Sequence, residues 1–169
     1  KSAERNSRNA ALEMLTLRTI SDYVNIGRIT VTQTGAIADP ASGLGEGDGD
    51  LSKVAAWKDD GDGAFSPLTD RLLGYTVHSA TAPFTNGIAI SIQDGELPYL
   101  AVTTAAVKIH IVADTGATDL AGNNILGHSV GVALSAFSDI RGPNSMALAA
   151  GQDSLDKFPM LSETVLIVP

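Results

Sequence analysis

From Ala10 onward the chain sets short runs of Val, Ile, Leu and Thr between Gly, Asp, Asn and Pro, the pattern of strands joined by turns. In the first run Leu15, Leu17 and Thr19 share one side of a strand while Thr16 and Arg18 take the other, because side chains alternate with a period of two. Ser21 and Asp22 then supply a turn. Val24 and Ile26 alternate in one phase, and Ile29 and Val31 fall in the opposite one. A bulge around Gly27 and Arg28 repairs the phase and predicts one continuous, bent strand. Further strands are predicted over Val54–Trp57, Leu72–Val77, Ile88–Ile92, Val107–Ala113, Val130–Leu134 and Val165–Val168, with a less regular one over Tyr99–Val102.

About eight strands without an amphipathic helix point to an all-β sandwich or barrel; a β-sandwich, immunoglobulin-like or jelly-roll-like, is the expected fold. The best helical segment is Ser145–Ala150, which Gly151 ends, so it predicts no more than a short crossover. The Ser-, Asn- and Arg-rich stretch 1–9 has no apolar periodicity and reads as a flexible arm or linker. Residues 10–169 then form a single β-sandwich domain. Gly35–Asp50 is full of turn formers without apolar alternation, and reads as a long loop between strands. Internal repetition is not visible, so repetition would have to come from further copies.

Composition narrows the function. With 44% hydrophobic and 18% charged residues, the 169-residue chain has the makings of a folded core rather than of a disordered chain. Its 11 Lys and Arg against 19 Asp and Glu give a net charge of −8, which disfavours nucleic acid as a partner. The cysteine count of 0 excludes disulfides and cysteine-ligated zinc or iron–sulfur centres. No apolar run has the length of a membrane span, so direct membrane insertion is not expected. The start at Lys1 fits either a secretory leader already removed or a piece of a larger polypeptide.

The densest chemistry is the run Trp57-Lys58-Asp59-Asp60-Gly61-Asp62-Gly63-Ala64-Phe65-Ser66-Pro67-Leu68-Thr69-Asp70, between two predicted strands. Calcium is a hard cation that takes six to eight oxygens, and a Gly-rich turn lets consecutive carboxylates and a backbone carbonyl converge. With Gly63 as the sharp-turn glycine of a twelve-residue loop, Asp60 and Asp62 take ligand positions three and five, the Ala64 carbonyl position seven and Ser66 position nine. Lys58 and Thr69 then stand first and last, where carboxylates are needed. A loop tightened at its start brings in Asp59, and Asp70 lies one step past the end. The expected calcium ligands are therefore Asp59, Asp60, Asp62, Ala64, Ser66 and Asp70. The alternative is an acidic hairpin turn without metal.

Other groups are sparser. Glu46, Asp48 and Asp50 alternate with Gly and could complete the main site if the loops meet; Asp114, Asp119, Asn123 and Asn124 form a third polar group. Gly127-His128-Ser129-Val130-Gly131 matches the nucleophile-elbow pattern, but a loop precedes it, a strand follows it and no histidine comes later, so a catalytic Ser129 is not expected. His78, His110 and His128 lack the spacing of a zinc pair. His110, between Ile109 and Ile111, is expected on the solvent side of its strand or hydrogen-bonded where buried. The Gly43–Gly49 stretch lacks the basic residue of a phosphate cradle. Trp57 alternates with Ala55 and reads as packing more than as a sugar platform. The chain is read as a non-enzyme.

The ordered series Leu15–Thr19, Val24–Val31, Val54–Trp57 with Lys58-Asp59-Asp60-Gly61-Asp62-Gly63-Ala64-Phe65, and Leu72-Leu73-Gly74 resembles immunoglobulin-like modules of large prokaryotic surface proteins. Ile109–Asp114, Gly127–Leu134 and Phe158–Val168 resemble their closing strands, so the likeness spans most of the chain from about Ala10. The acidic turn resembles a dockerin or EF-hand-type calcium loop, one residue short and with Ser66 after Phe65 where an aspartate is usual. The resemblance implies an extracellular or cell-surface, repeated, noncatalytic module. It would assemble with copies of itself or neighbouring modules into a surface layer, stalk or filament, with strand exchange by Leu161–Val168 or Ala10–Thr19 as one route. The alternative is a carbohydrate- or ligand-binding module of a larger secreted enzyme, with glycans as partners.

Overall fold

The computed structural model describes residues 2–4, 7–19, 22–35, 50–78, 84, 87–116, 128–148, 159–162 and 165–169. The fold is all-β. Its strands are β1 (Ser2–Glu4), β2 (Ala10–Leu17), β3 (Val24–Ile26), β4 (Arg28–Thr34), β5 (Leu51–Lys58), β6 (Arg71–Val77) and β7 (Ile88–Ser91), followed by β8 (Leu100–Val102), β9 (Val107–Thr115), β10 (Ser129–Leu134), β11 (Ile140–Arg141), β12 (Met160–Leu161) and β13 (Val165–Val168).

They form a four-stranded sheet in the order β2-β9-β5-β6, a seven-stranded sheet with the path β1-β13-β10-β4-β11, and a two-stranded β3-β8 pair. In the larger sheet β12 joins β10 and β7 joins β4. The inward-facing alternate residues of both main sheets close on one apolar cluster. Leu15, Val54, Leu73, Ile109 and Ile111 come from the smaller sheet, and Ile29, Val31, Ile90, Val132 and Ile167 from the larger. Each fully buried Leu or Ile contributes roughly 1.5–3 kcal/mol, so this cluster outweighs any single polar contact described below.

The runs read as strands from the sequence are strands, with two differences. The segment around Gly27 is two strands rather than one bent strand: β3 pairs with β8, whereas β4 pairs with β7, β10 and β11. The phase change does fall at Gly27, where a Cβ would lie 2.7 Å from Pro143 Cα. Residues 2–4 of the stretch read as an arm form an edge strand, parallel to β13. They are tied down by Thr115, whose Oγ1 donates to the Glu4 carbonyl and accepts from Ser7 N–H. Ser145–Ala150, the best helical alternative in the sequence, holds no α-helix over its described part, where a 3-10 turn spans Pro143–Ser145 and Ala147 bridges to Arg141. β11 and β12, of two residues each, have too little periodicity to be read from sequence.

The two sheets meet closely at β6 and β7. A Cβ on Gly74 would stand 2.0 Å from the Ser91 carbonyl oxygen, and Gln93 N–H donates to the Leu73 carbonyl. At another junction the buried Asp50, just before β5, holds Nδ1 of His128, just before β10, at 2.7 Å.

Because backbone fills the space at Gly74, Gly74→Ala is expected to destabilise the fold by about 1–3 kcal/mol in urea unfolding. Ala101→Ser, at an exposed position, should stay within about 0.5 kcal/mol of the parent.

Candidate functional site: the acidic β5–β6 loop

The site is placed by the register of the four-stranded sheet. β9 pairs on both sides, and His110 stands opposite Met14 on β2 and Trp57 on β5, which in turn faces Leu72 on β6. This row lies on the outer face, because Ile109 and Ile111 on either side of His110 point into the core. The next row, Ala11, Val112, Ala55 and Tyr75, is apolar too. The loop that joins β5 to β6 folds down on this face. Its foot is Phe65, packed edge-on to Trp57 at 5.6 Å and to the His110 ring at 5.8 Å.

Under Phe65 lies a polar cluster with little access to water. The side chains of His110, Asp59 and Asp70 are only 5%, 2% and 0% exposed. Asp59 Oδ1 is 3.2 Å from His110 Nε2 and also accepts Gly63 N–H at 2.9 Å, while its Oδ2 accepts Gly61 N–H at 3.0 Å. Asp70 Oδ1 accepts Asp60 N–H at 3.1 Å and Oδ2 accepts Ser66 N–H at 2.9 Å. The ring nitrogen facing an ionised carboxylate must carry its hydrogen, so Nε2 of His110 donates to Asp59. The loop has the backbone freedom this folding needs: Gly61 and Gly63 have φ of +119° and +80°, values that glycine adopts readily.

Burial works to raise the Asp59 pKa, but the His110 hydrogen bond, the Gly63 and Gly61 N–H groups and the charge of Lys108 outweigh it and hold the carboxyl below the ordinary value. Lys108 Nζ lies against the loop, 2.9 Å from where a Cβ on Gly63 would be. It offsets part of the repulsion among the carboxylates.

Four of the six expected ligands, Asp59, Asp60, Asp62 and Asp70, fall into two groups that share Asp59. Asp59, Asp60 and Asp62 each bring a carboxylate oxygen within 4.8 Å of the others, and so do Asp59 and Asp70 together with a His110 nitrogen. The inner group has all its carboxylate oxygens engaged by N–H donors, and acts as a clasp. In the outer group Asp60 and Asp62 are exposed, and each spends one oxygen on an N–H two residues ahead, Asp62 at 3.2 Å and Ala64 at 2.7 Å. An all-oxygen set of this kind suits a hard cation. Ser66 serves the loop itself: its carbonyl accepts from Thr69 and Asp70 N–H. Ala64 is exposed.

His110 stands outside the expected ligand set; of the two outcomes expected for it, the structure has the buried, hydrogen-bonded one. Its only signal is an imidazole between two buried isoleucines; the partner Asp59 becomes visible once β5 and β9 are in register. Asp50 does not join the loop. It is buried against His128 at the other end of β5, roughly 25–30 Å of strand away. Asp114 is spent on Asn9 N–H at 2.8 Å and on Lys53 at 3.7 Å. Glu46, Asp48, Asp119, Asn123, Asn124 and the Gly43–Gly49 stretch lie outside the described residues. Ser129 opens strand β10, so the segment after it is strand, as expected. Trp57 is half-buried against Phe65, in keeping with a packing role.

No family model, curated protein or solved structure matches this chain.

A carboxyl whose folded pKa lies below its unfolded value near 3.8 stabilises the fold above that unfolded value and loses the contribution as pH falls through the folded one. In metal-free buffer, Asp59→Asn is therefore expected to flatten the fall of stability with acid below about pH 4. Urea midpoints across pH 2–6 read this directly.

Proposed function

We propose that the chain is a structural module of an extracellular or cell-surface assembly, with calcium held by the acidic β5–β6 loop and copies of itself or neighbouring modules as partners. The observation that carries the reading is the outer carboxylate group: Asp59, Asp60 and Asp62 converge to within 4.8 Å on a loop anchored through Phe65. Calcium would occupy the water-facing side of Asp60 and Asp62, with Asp59 as the shared inner oxygen donor, and it would replace the mutual repulsion of these groups by attraction.

Support for assembly comes from the outer face of the four-stranded sheet. Met14, Leu72, Tyr75 and Val77 are exposed there, at 39%, 39%, 55% and 38%, and a neighbouring module laid on them would remove apolar area from water. The resemblance to immunoglobulin-like surface modules points the same way. Both segments considered for strand exchange pair within the chain here, β13 with β10 and β1, and β2 with β9, so exchange would swap bonds already satisfied. The second reading is a carbohydrate- or ligand-binding module of a larger secreted enzyme. It draws on Tyr75, whose exposed ring has Lys53 Nζ 5.0 Å from its centroid, a pairing that could take a sugar ring and its hydroxyls.

A cation held by the folded chain alone adds stability by mass action, about 2.7 kcal/mol at a hundred times its dissociation constant. Calcium is thus expected to raise the melting temperature of the parent. The double variant Asp60→Asn/Asp62→Asn, whose amide oxygens can still accept the loop N–H groups, should fold and lose that rise. Equal curves with calcium and with EDTA would remove calcium from the proposal. Sedimentation at increasing concentration tests assembly, and a species that stays monomeric throughout would count against it.

A further inference from the structure

The two sheets each place two cations directly opposite one another on neighbouring strands, and they treat them differently. In the four-stranded sheet Lys58 faces Arg71. Asp94, whose side chain is 15% exposed, sits between them, with Oδ2 3.0 Å from Lys58 Nζ and Oδ1 3.1 Å from Arg71 Nη1. One carboxylate thus gives one oxygen to each cation, and the repulsion of like charges across a strand pair is cancelled.

In the seven-stranded sheet Arg28 on β4 faces Arg141 on β11. Residues directly opposite in an antiparallel pair project on the same face. That face is the outer one, because the next pair, Ile29 and Ile140, is buried. Neither arginine has a carboxylate within ion-pair distance among the described residues. Asp139 is close in sequence to Arg141, but its Oδ2 is spent on the N–H groups of Ser135 and Ala136 at 2.8 and 2.9 Å. Arg141 Nε is fixed by the Ser138 carbonyl at 2.7 Å. Arg28 Nε is shielded from solvent and has no hydrogen-bond partner, although a guanidinium donor is costly to leave unsatisfied. On the far side of Arg28 stands Ser91, an exposed hydroxyl residue in register with it. In a chain with 19 acids and 11 bases, two arginines directly opposite one another with no ion-pair partner among the described residues are the exception that asks for a ligand.

We propose that Arg28 and Arg141 form a binding site for a compact oxyanion, a carboxylate or a tetrahedral phosphate or sulfate group, which does from outside the chain what Asp94 does for Lys58 and Arg71. Planar guanidiniums suit this ligand, since each can offer paired N–H donors to two oxygens. The net charge of −8 selects for small size: a long polyanion would meet repulsion beyond the two arginines, whereas a single group within a Debye length feels mainly them. The oxyanion can be a dissolved ion or the side-chain carboxylate of a second copy, and the chemistry at the two guanidiniums is the same.

The test is to follow the arginine Nε–H resonances by NMR while inorganic phosphate, and separately acetate, is titrated at constant ionic strength. The Arg28 and Arg141 signals are expected to shift saturably while Arg71, already bridged by Asp94, stays still. Differential scanning fluorimetry under the same conditions should show a rise in melting temperature of about 1–3 °C, the size that mass action gives for a weak site. Arg28→Lys should weaken the response and Arg141→Gln should abolish it, with both variants folded by circular dichroism. A dilution series in anion-free buffer separates the sources. Shifts that grow with protein concentration assign the oxyanion to a second copy, and shifts that need added anion assign it to a dissolved ion. Arginine signals that respond to neither, that all drift together without saturation, or that still respond in Arg141→Gln would overturn the site.

Discussion

The strict two-residue alternation of β9 is the constraint on which the rest turns. This strand is paired along both edges, so its position is fixed from either side, and every second side chain enters the core. Ile109, Ile111 and Ala113 lie inward and Lys108, His110, Val112 and Asp114 outward. A slip of one residue would carry the isoleucines to the surface and the lysine, histidine and aspartate into the apolar cluster. The cost of that exchange, several fully buried side chains at once, holds His110 under Phe65 and opposite Asp59. The acidic loop takes its shape from this placement.

Seen from there, the loop has two layers with separate tasks. The inner layer, Asp59, Asp70 and His110, satisfies its own hydrogen bonds with backbone N–H groups and ties the loop to the sheet, as a buried polar network must if it is not to cost more than an apolar filling. The outer layer, Asp60 and Asp62, keeps oxygens for solvent or a cation. Phe65 packs edge-on against the imidazole and shelters it. The same economy appears at Asp94, where one carboxylate serves two bases, and no described residue does the same for Arg28 and Arg141.

Much of this is legible in the sequence. Period-two runs of β-branched residues are local signals, and they mark nearly every strand of four residues or more. The acidic run declares itself by composition, and its glycines by the positive φ that the turn requires. What was not legible is set by contacts far apart in sequence. The partnership of His110 with Asp59 spans a separation of 51 residues and that of His128 with Asp50 one of 78, and neither ring carries a spacing motif. The split at Gly27 lies in the pairing, β3 with β8 and β4 with β7, β10 and β11, and a bulge and a break leave the same phase change in the sequence. β1, β11 and β12 are too short for periodicity to show; they exist because an edge was available to them.

The parallel pairing of Ser2–Glu4 with Val165–Val168 has a mechanical meaning. Tension applied along the chain draws the two strands past each other rather than peeling them apart. Their rungs are then strained together instead of one after another, and the force must overcome all of them at once. A brick joined to its neighbours through these strands would resist stretching along its length far better than prying across it.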